Sequence, residues 1–289
     1  MGFTTDLTTR VLATGPLCAG VDPSRSLLEE WGLSDDATGL REFCGRCLEG
    51  FAGVVPVVKP QVAFFERHGS AGVAVLEGFL GEARDAGLLV VADAKRADIA
   101  NTVDAYADAW LGPTSPLRAD AVTAVPYLGL GSLEPLVLAA ARSGSAVIVV
   151  IRSSNPEGRM IQEARLAAGG TVPGEGRSVE DTLLAQIAAR NAAFLAEHPD
   201  WSLGPIGAVI GATLDPSGFP LGDLGGPILA PGVGAQGAGP EELRRLFGGC
   251  PPGAVLPNVS RSVLAAGPDP GALRRGAKAA LEEAAEALG

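Results

Sequence analysis

The chain has 289 residues and a formal net charge of −11, from 22 Lys and Arg against 33 Asp and Glu. An acidic balance of this size lacks the basic footprint of a general nucleic-acid or anionic-membrane binder, and 47% hydrophobic residues exclude a disordered chain. No apolar run approaches the roughly 20 residues of a membrane span, and the opening MGFTTDLTTR has neither the basic stretch nor the apolar core of a signal peptide, so a cytoplasmic location is expected.

Taken in chain order, short apolar runs predict strands at 17–22, 54–59, 88–95, 121–127, 146–152, 206–213, 228–232 and 255–259. Amphipathic stretches between and after them predict helices near 38–50, 70–86, 98–111, 132–143, 178–197, 240–247 and 269–288. The strands are continuous apolar runs, as parallel strands covered on both faces should be. Eight strand-then-helix units in this length fit a (β/α)8 barrel forming a single domain over 1–289, with a doubly wound sheet as the competing architecture. Polar residues recur where the strands end: Asp22, Lys59, Asp93 with Lys95, Ser153 with Ser154, Thr213, Gln236 and Arg261. That end of a barrel carries the active site. The long stretch 156–177, rich in glycine and charge, reads as a mobile lid.

Only three cations are lysines: Lys59, Lys95 and Lys278. Lys278 lies on a solvated helix face, whereas Lys59 and Lys95 each end an apolar run, where a generic charge has little reason to be. In Asp93-Ala-Lys95-Arg-Ala-Asp98 an ammonium is flanked by carboxylates that would keep it protonated, which suits a general acid acting on a carbanion. Acidic residues are also favoured at helix N-termini, and Asp98 alone could be a cap, but capping explains neither lysine. Lys59 is read as facing Asp93 across neighbouring strands, against the alternative of a lysine reaching from a strand end to solvent.

Gly232-Val-Gly234-Ala-Gln236-Gly237 matches GxGxxG, yet it follows the seventh strand and lacks an acidic residue at the ribose spacing, so a dinucleotide fold is a poor explanation. A single phosphate held by backbone N–H groups, with Arg261 from the eighth strand, fits better. Asp22 either caps the next helix or enters the site, and Ser154 and Asn155 either make a turn or read a polar heterocycle. Glu66 is read as a helix-start or surface charge, and His68 and His198 lie away from the strand ends. The carboxylates at the strand ends are too few, among lysines, for a metal site. Cys44 and Cys47 form a CxxC on an apolar helix face and read, with Cys18 and Cys250, as reduced buried thiols.

Taken together, Lys59 and the Asp93-x-Lys95-x-x-Asp98 triplet, with GVDPS, VKPQVAFFE, DAKRADIANT, RSSNP, GAT, PGVGAQG and NVSRSV in that order, resemble the orotidine 5′-phosphate decarboxylase family in its longer bacterial form. The likeness covers almost the whole chain. It departs at Ala97 and Ala100, where glycines are expected around Asp98-Ile99, a change expected to leave activity intact. The resemblance implies decarboxylation of orotidylate to uridylate without metal or organic cofactor. Lys95 would protonate C6, Asp93 would face the departing carboxylate, and Lys59 would bridge Asp93 and a ribose hydroxyl. Asp22 would also hold the ribose, Ser154 the pyrimidine, and Gln236, Arg261 and the Gly234 turn the phosphate. Asp98 and Thr102 would complete the site of a partner subunit in a homodimer. The alternatives are a Mg²⁺-dependent sugar-phosphate decarboxylase or aldolase from a related barrel, a Schiff-base aldolase built on Lys95, and a barrel that binds its ligand without catalysis.

Overall fold

A computed structural model describes residues 2–170, 173–215, 218–234 and 237–289. Among them, eight strands run parallel in chain order: β1 (Cys18–Val21), β2 (Val57–Pro60), β3 (Leu89–Arg96), β4 (Ala121–Ala124), β5 (Ala146–Arg152), β6 (Ile206–Ile210), β7 (Ile228–Pro231) and β8 (Val255–Val259). β1 pairs with β8 through Cys18↔Asn258, which closes the sheet into the expected barrel. The helices are α1 (Phe3–Thr14), α2 (Arg25–Glu30), α3 (Ala37–Phe51), α4 (Ala63–Glu66), α5 (Gly69–Asp85), α6 (Ala100–Leu111), α7 (Glu134–Ser143), α8 (Arg159–Gln162), α9 (Val179–Glu197), α10 (Pro240–Phe247), α11 (Arg261–Leu264) and α12 (Pro270–Leu288).

Each strand is apolar on both faces for two separate reasons. Cys18, Val57, Leu89, Val91, Ala121, Ala146, Ile148, Leu229 and Leu256 pack inside the barrel. Their strand neighbours, such as Ala19, Val58, Val90, Val122 and Val147, pack outward against the helices. Side chains alternate along a strand, so one continuous run supplies both layers.

Helix α1 was not anticipated. Its Phe3, Leu7 and Val11 recur every four residues and join the interior cluster, closing the barrel's N-terminal end. Each such buried side chain contributes about 1.5–3 kcal/mol. Five threonines hide the helix from propensity; the Thr8 and Thr9 hydroxyls donate back to the Thr4 and Thr5 carbonyls at 3.0 and 2.9 Å.

The predicted boundaries shift where backbone chemistry intervenes. The β2 strand starts at Val57 rather than 54, because the N–H groups of Val54 and Val55 both bond to Phe51 O and finish α3. Expected to run to 127, β4 ends at Ala124, just ahead of Pro126, which has no N–H for the ladder. The β6 ladder ends at Ile210, so Thr213 lies beyond the strand, exposed, and outside the cavity described below. The stretch 156–177 is more ordered than an irregular lid: it holds a 3-10 turn at Pro156–Gly158, helix α8, and a bridge between Arg165 and Ser178. Thr171 and Val172 lie outside the described residues.

Candidate active site

The two-residue period that places apolar side chains inside the barrel also delivers the polar ones to its mouth. On β3, Leu89 and Val91 are interior and Asp93 and Lys95 follow on the same face. Val57 is succeeded by Lys59 on β2, Ala121 by Thr123 on β4, and Leu256 by Asn258 on β8. A polar layer therefore caps an apolar one at the C-terminal ends of the strands.

Asp93 is the centre of this layer, and each of its oxygens accepts two hydrogen bonds. Oδ2 receives Lys59 Nζ at 2.9 Å and Gln61 Nε2 at 3.0 Å. Oδ1 receives Lys95 Nζ at 2.6 Å and the Thr123 hydroxyl at 2.9 Å. Asp93 is 8% exposed and Lys59 4%, while the Lys95 side chain remains half-exposed towards the mouth. The expected pairing of Lys59 with Asp93 across neighbouring strands is thus present. Gln61 and Thr123 were not anticipated. The parity rule finds Thr123, which stands two residues after interior Ala121; Gln61 follows the end of β2 and had no comparable signal.

Burial works against the Asp93 carboxylate, but Lys59 and then Lys95 outweigh it and hold its pKa well below the usual carboxylate range. Burial likewise works against the Lys59 ammonium, and Asp93 with Asp22 pushes its pKa above the usual value. Both groups are charged at neutral pH. Lys95 carries a further feature: its backbone φ is +50°, a left-handed conformation that costs a non-glycine residue energy and that clusters at functional sites.

These groups open into a cavity of about 850 Å³ lined among others by Asp22, Lys59, Asp93, Lys95, Ser154 and Arg261. Asp22 is not a helix cap, because Ser24 caps α2 by accepting from Leu27 N. Instead Asp22 Oδ1 is buried with no hydrogen-bond partner. Arg261 begins α11, is exposed, and faces the cavity. Gln236 lies outside the described residues.

Gly234 is hydrogen-bonded through both its N–H and its carbonyl. Its N–H donates to Ala238 O at 2.8 Å, and the Gly237 N–H donates to Gly234 O at 2.9 Å. Gly234 does not line the cavity.

Asp98 and Thr102 do not reach the cavity of their own chain. Asp98 is no α6 cap: it accepts only from the adjacent Ile99 N, and Thr102 is exposed on α6. Ala100, at the first position of α6, has φ +49°, a conformation that glycine would adopt freely. The helix therefore starts at residue 100, not 98. Glu66 closes α4 and pairs with Arg96, which also lies over the Tyr106 and Trp110 rings. His68 stands 3.6 Å from Asp35, outside the cavity. Cys18, Cys44 and Cys47 are buried free thiols, and burial pushes Cys18 up to about 12. Among the described residues no three His, Cys, Asp or Glu side chains gather as a metal ion would need.

Residues 15–275 match the family model described as "Orotidine 5′-phosphate decarboxylase / HUMPS family". The orotidine 5′-phosphate decarboxylase of Salinispora tropica is 50% identical over 274 residues, covering 95% of this chain and 94% of that one. Its counterpart from Streptomyces coelicolor is 54% identical over 264 residues, 91% and 90% of the two chains. A crystal structure of a protein assigned as an orotidine 5′-phosphate decarboxylase from Streptomyces avermitilis superposes with a TM-score of 0.90 at 50% identity, over 99% of this chain and 96% of that one. With that match over most of its length, and with the paired lysines and Asp93 assembled at the barrel mouth, the chain belongs to the orotidine 5′-phosphate decarboxylase / HUMPS family.

Proposed function

We propose that the protein decarboxylates orotidine 5′-phosphate to uridine 5′-phosphate, a step of pyrimidine biosynthesis. The observation that carries this reading is the saturated Asp93 carboxylate with Lys95 Nζ 2.6 Å away at the cavity edge. In the reaction the C6–carboxylate bond breaks, CO2 departs, and the electron pair left on C6 takes a proton from Lys95 Nζ; water returns the proton to the lysine. Asp93 is held ionised, so it orients the Lys95 side chain and places negative charge where the substrate carboxylate must enter. Lys59 balances Asp93 from below and reaches the ribose side. The unpartnered Asp22 Oδ1 has an acceptor free for a ribose hydroxyl. Ser154 and Arg261 both line the cavity; Ser154 is assigned to the pyrimidine, and Arg261, a planar fork of donors, to the phosphate together with Gln236.

A metal-dependent sugar-phosphate reaction would need carboxylate oxygens free for a cation. Here both Asp93 oxygens are taken by four donors, two of them cationic.

The active unit in this reading is a homodimer in which Asp98 and Thr102 complete the partner's site. Ile99, Tyr127 and Leu128 support it: they are 58%, 73% and 51% exposed on the adjoining loops after β3 and β4, an apolar surface that a second copy would cover. The stretch 156–177 serves as the lid, and Met160 and Ile161, 80% and 45% exposed, are its apolar contacts. No helix among the described residues is long and apolar enough to cross a membrane, and the reading places the enzyme in the cytoplasm on soluble metabolites.

The test is the ultraviolet loss of orotidylate with purified protein in the presence of EDTA. Turnover is expected, and its absence in a folded protein overturns the reading. For the shared site, mixing Lys95→Ala and Asp98→Ala variants should recover activity through hybrid dimers with one intact site; no recovery removes the dimer proposal.

A further inference from the structure

We infer that Thr123 is a positioning residue that sets the geometry of both Asp93 and Lys95 from beneath the cavity. The inference rests on the decarboxylase reading of the site. Thr123 is completely buried on β4 and does not line the cavity, so it has no route to substrate. Its hydroxyl nevertheless makes two contacts on the neighbouring strand. It donates to Asp93 Oδ1 at 2.9 Å and accepts from the Lys95 backbone N–H at 2.9 Å.

The second contact explains how a lysine holds a left-handed backbone. Lys95 at φ +50° cannot continue a regular ladder, and the β3–β4 register slips between Ala92 and Arg96. Where a ladder carbonyl would accept its N–H, the Thr123 hydroxyl accepts it instead. The first contact fixes Asp93 Oδ1, the same oxygen that Lys95 Nζ touches. One hydroxyl therefore couples the backbone from which the lysine projects to the carboxylate that orients its ammonium. A valine at this position has nearly the same shape and can do neither. The charged and titratable groups nearest this hub are Lys59, Lys95, Asp22 and Cys18, all seen in the Asp93 and Lys59 environments.

The experiment compares wild type, Thr123→Val, Thr123→Ser and Thr123→Ala for orotidylate turnover, uridylate affinity, thermal stability and the pH dependence of kcat. The Val variant is expected to lose about tenfold to a hundredfold in kcat, as when a partner orienting the reacting groups is removed. KM and uridylate affinity should change little, since Arg261 and Ser154 are untouched. Removing one donor raises the Asp93 pKa, so the acid limb of kcat should move to higher pH. Ser restores the hydroxyl and should recover most of kcat; Ala should behave like Val. A merely structural role would lower stability and leave kcat and its pH profile alone, which overturns the inference. If the Val variant does not fold, equal kcat for Ser and Ala overturns it. An inactive wild type removes the decarboxylase reading and this role with it, whereas an active wild type beside an equally active Val variant removes only the role of Thr123.

Discussion

The two ends of the cavity are built differently. At the β2–β4 end, Asp93, Lys59, Lys95, Gln61 and Thr123 form a closed network, with two donors on each Asp93 oxygen. At the β7–β8 end, Arg261 is exposed and the Gly234 N–H donates to Ala238 O. The groups proposed to react hold one another, whereas Arg261, proposed for the phosphate, is exposed. In the proposed reaction such a division would let binding energy from the remote phosphate drive closure while the charges at the reacting carbon need no rearrangement.

The contrast can be broken most severely at its organised end. Lys95→Ala should cut kcat by about 10²–10⁴ or more with the fold intact, the range for removing a general acid; near-normal turnover by a variant with native circular dichroism would end the proton-donor role. Asp93→Asn should cost activity and also stability, because Lys59 at 4% exposure would lose the carboxylate it is hydrogen-bonded to. A loss of about 3–5 kcal/mol is expected in urea unfolding, as for other broken buried pairs. At the open end, Arg261→Ala should mainly raise KM, by the equivalent of about 1.5–3 kcal/mol, and leave stability unchanged. An unchanged KM would remove the phosphate assignment.

The pH response sharpens the same distinction. The Asp93 pKa is lowered on folding, so its contribution to stability is present above the ordinary value of 3.8 and is lost as pH falls through the folded value. Lys59 is raised above 10.5, so its contribution is present below that value and is lost as pH rises through the folded one. The wild type should hold this stability across neutral pH, and Asp93→Asn should lose both limbs in pH-dependent unfolding. The smallest effect is expected at Ala100→Gly. Relief of the left-handed strain should raise stability by about 1 kcal/mol with activity kept; lower stability would mean that the strain is offset locally.

The alternation of apolar run and amphipathic stretch was enough to read the barrel, because parallel strands covered on both faces and helices with one apolar face leave few other architectures. The lysine economy pointed to Lys59 and Lys95 because a charge ending an apolar run costs energy unless it meets a partner. Helix α1 escaped because threonines dilute its pattern and only the barrel interior gives Phe3, Leu7 and Val11 something to bury against.

What the sequence determined by itself is the order of elements, the face on which each side chain falls, and the charged residues that gather at the mouth. Those follow from local periodicity and from the cost of isolated charge. What only the tertiary structure decided is how the neutral partners converge. Thr123 and Gln61 are ordinary residues until neighbouring strands bring them within 3.0 Å of one carboxylate, and the Gly234 N–H is one loop donor among many until the fold sets it on Ala238 O. Hydrogen bonds between residues distant in the chain depend on strand register and turn closure, which pairwise packing sets and no local pattern records.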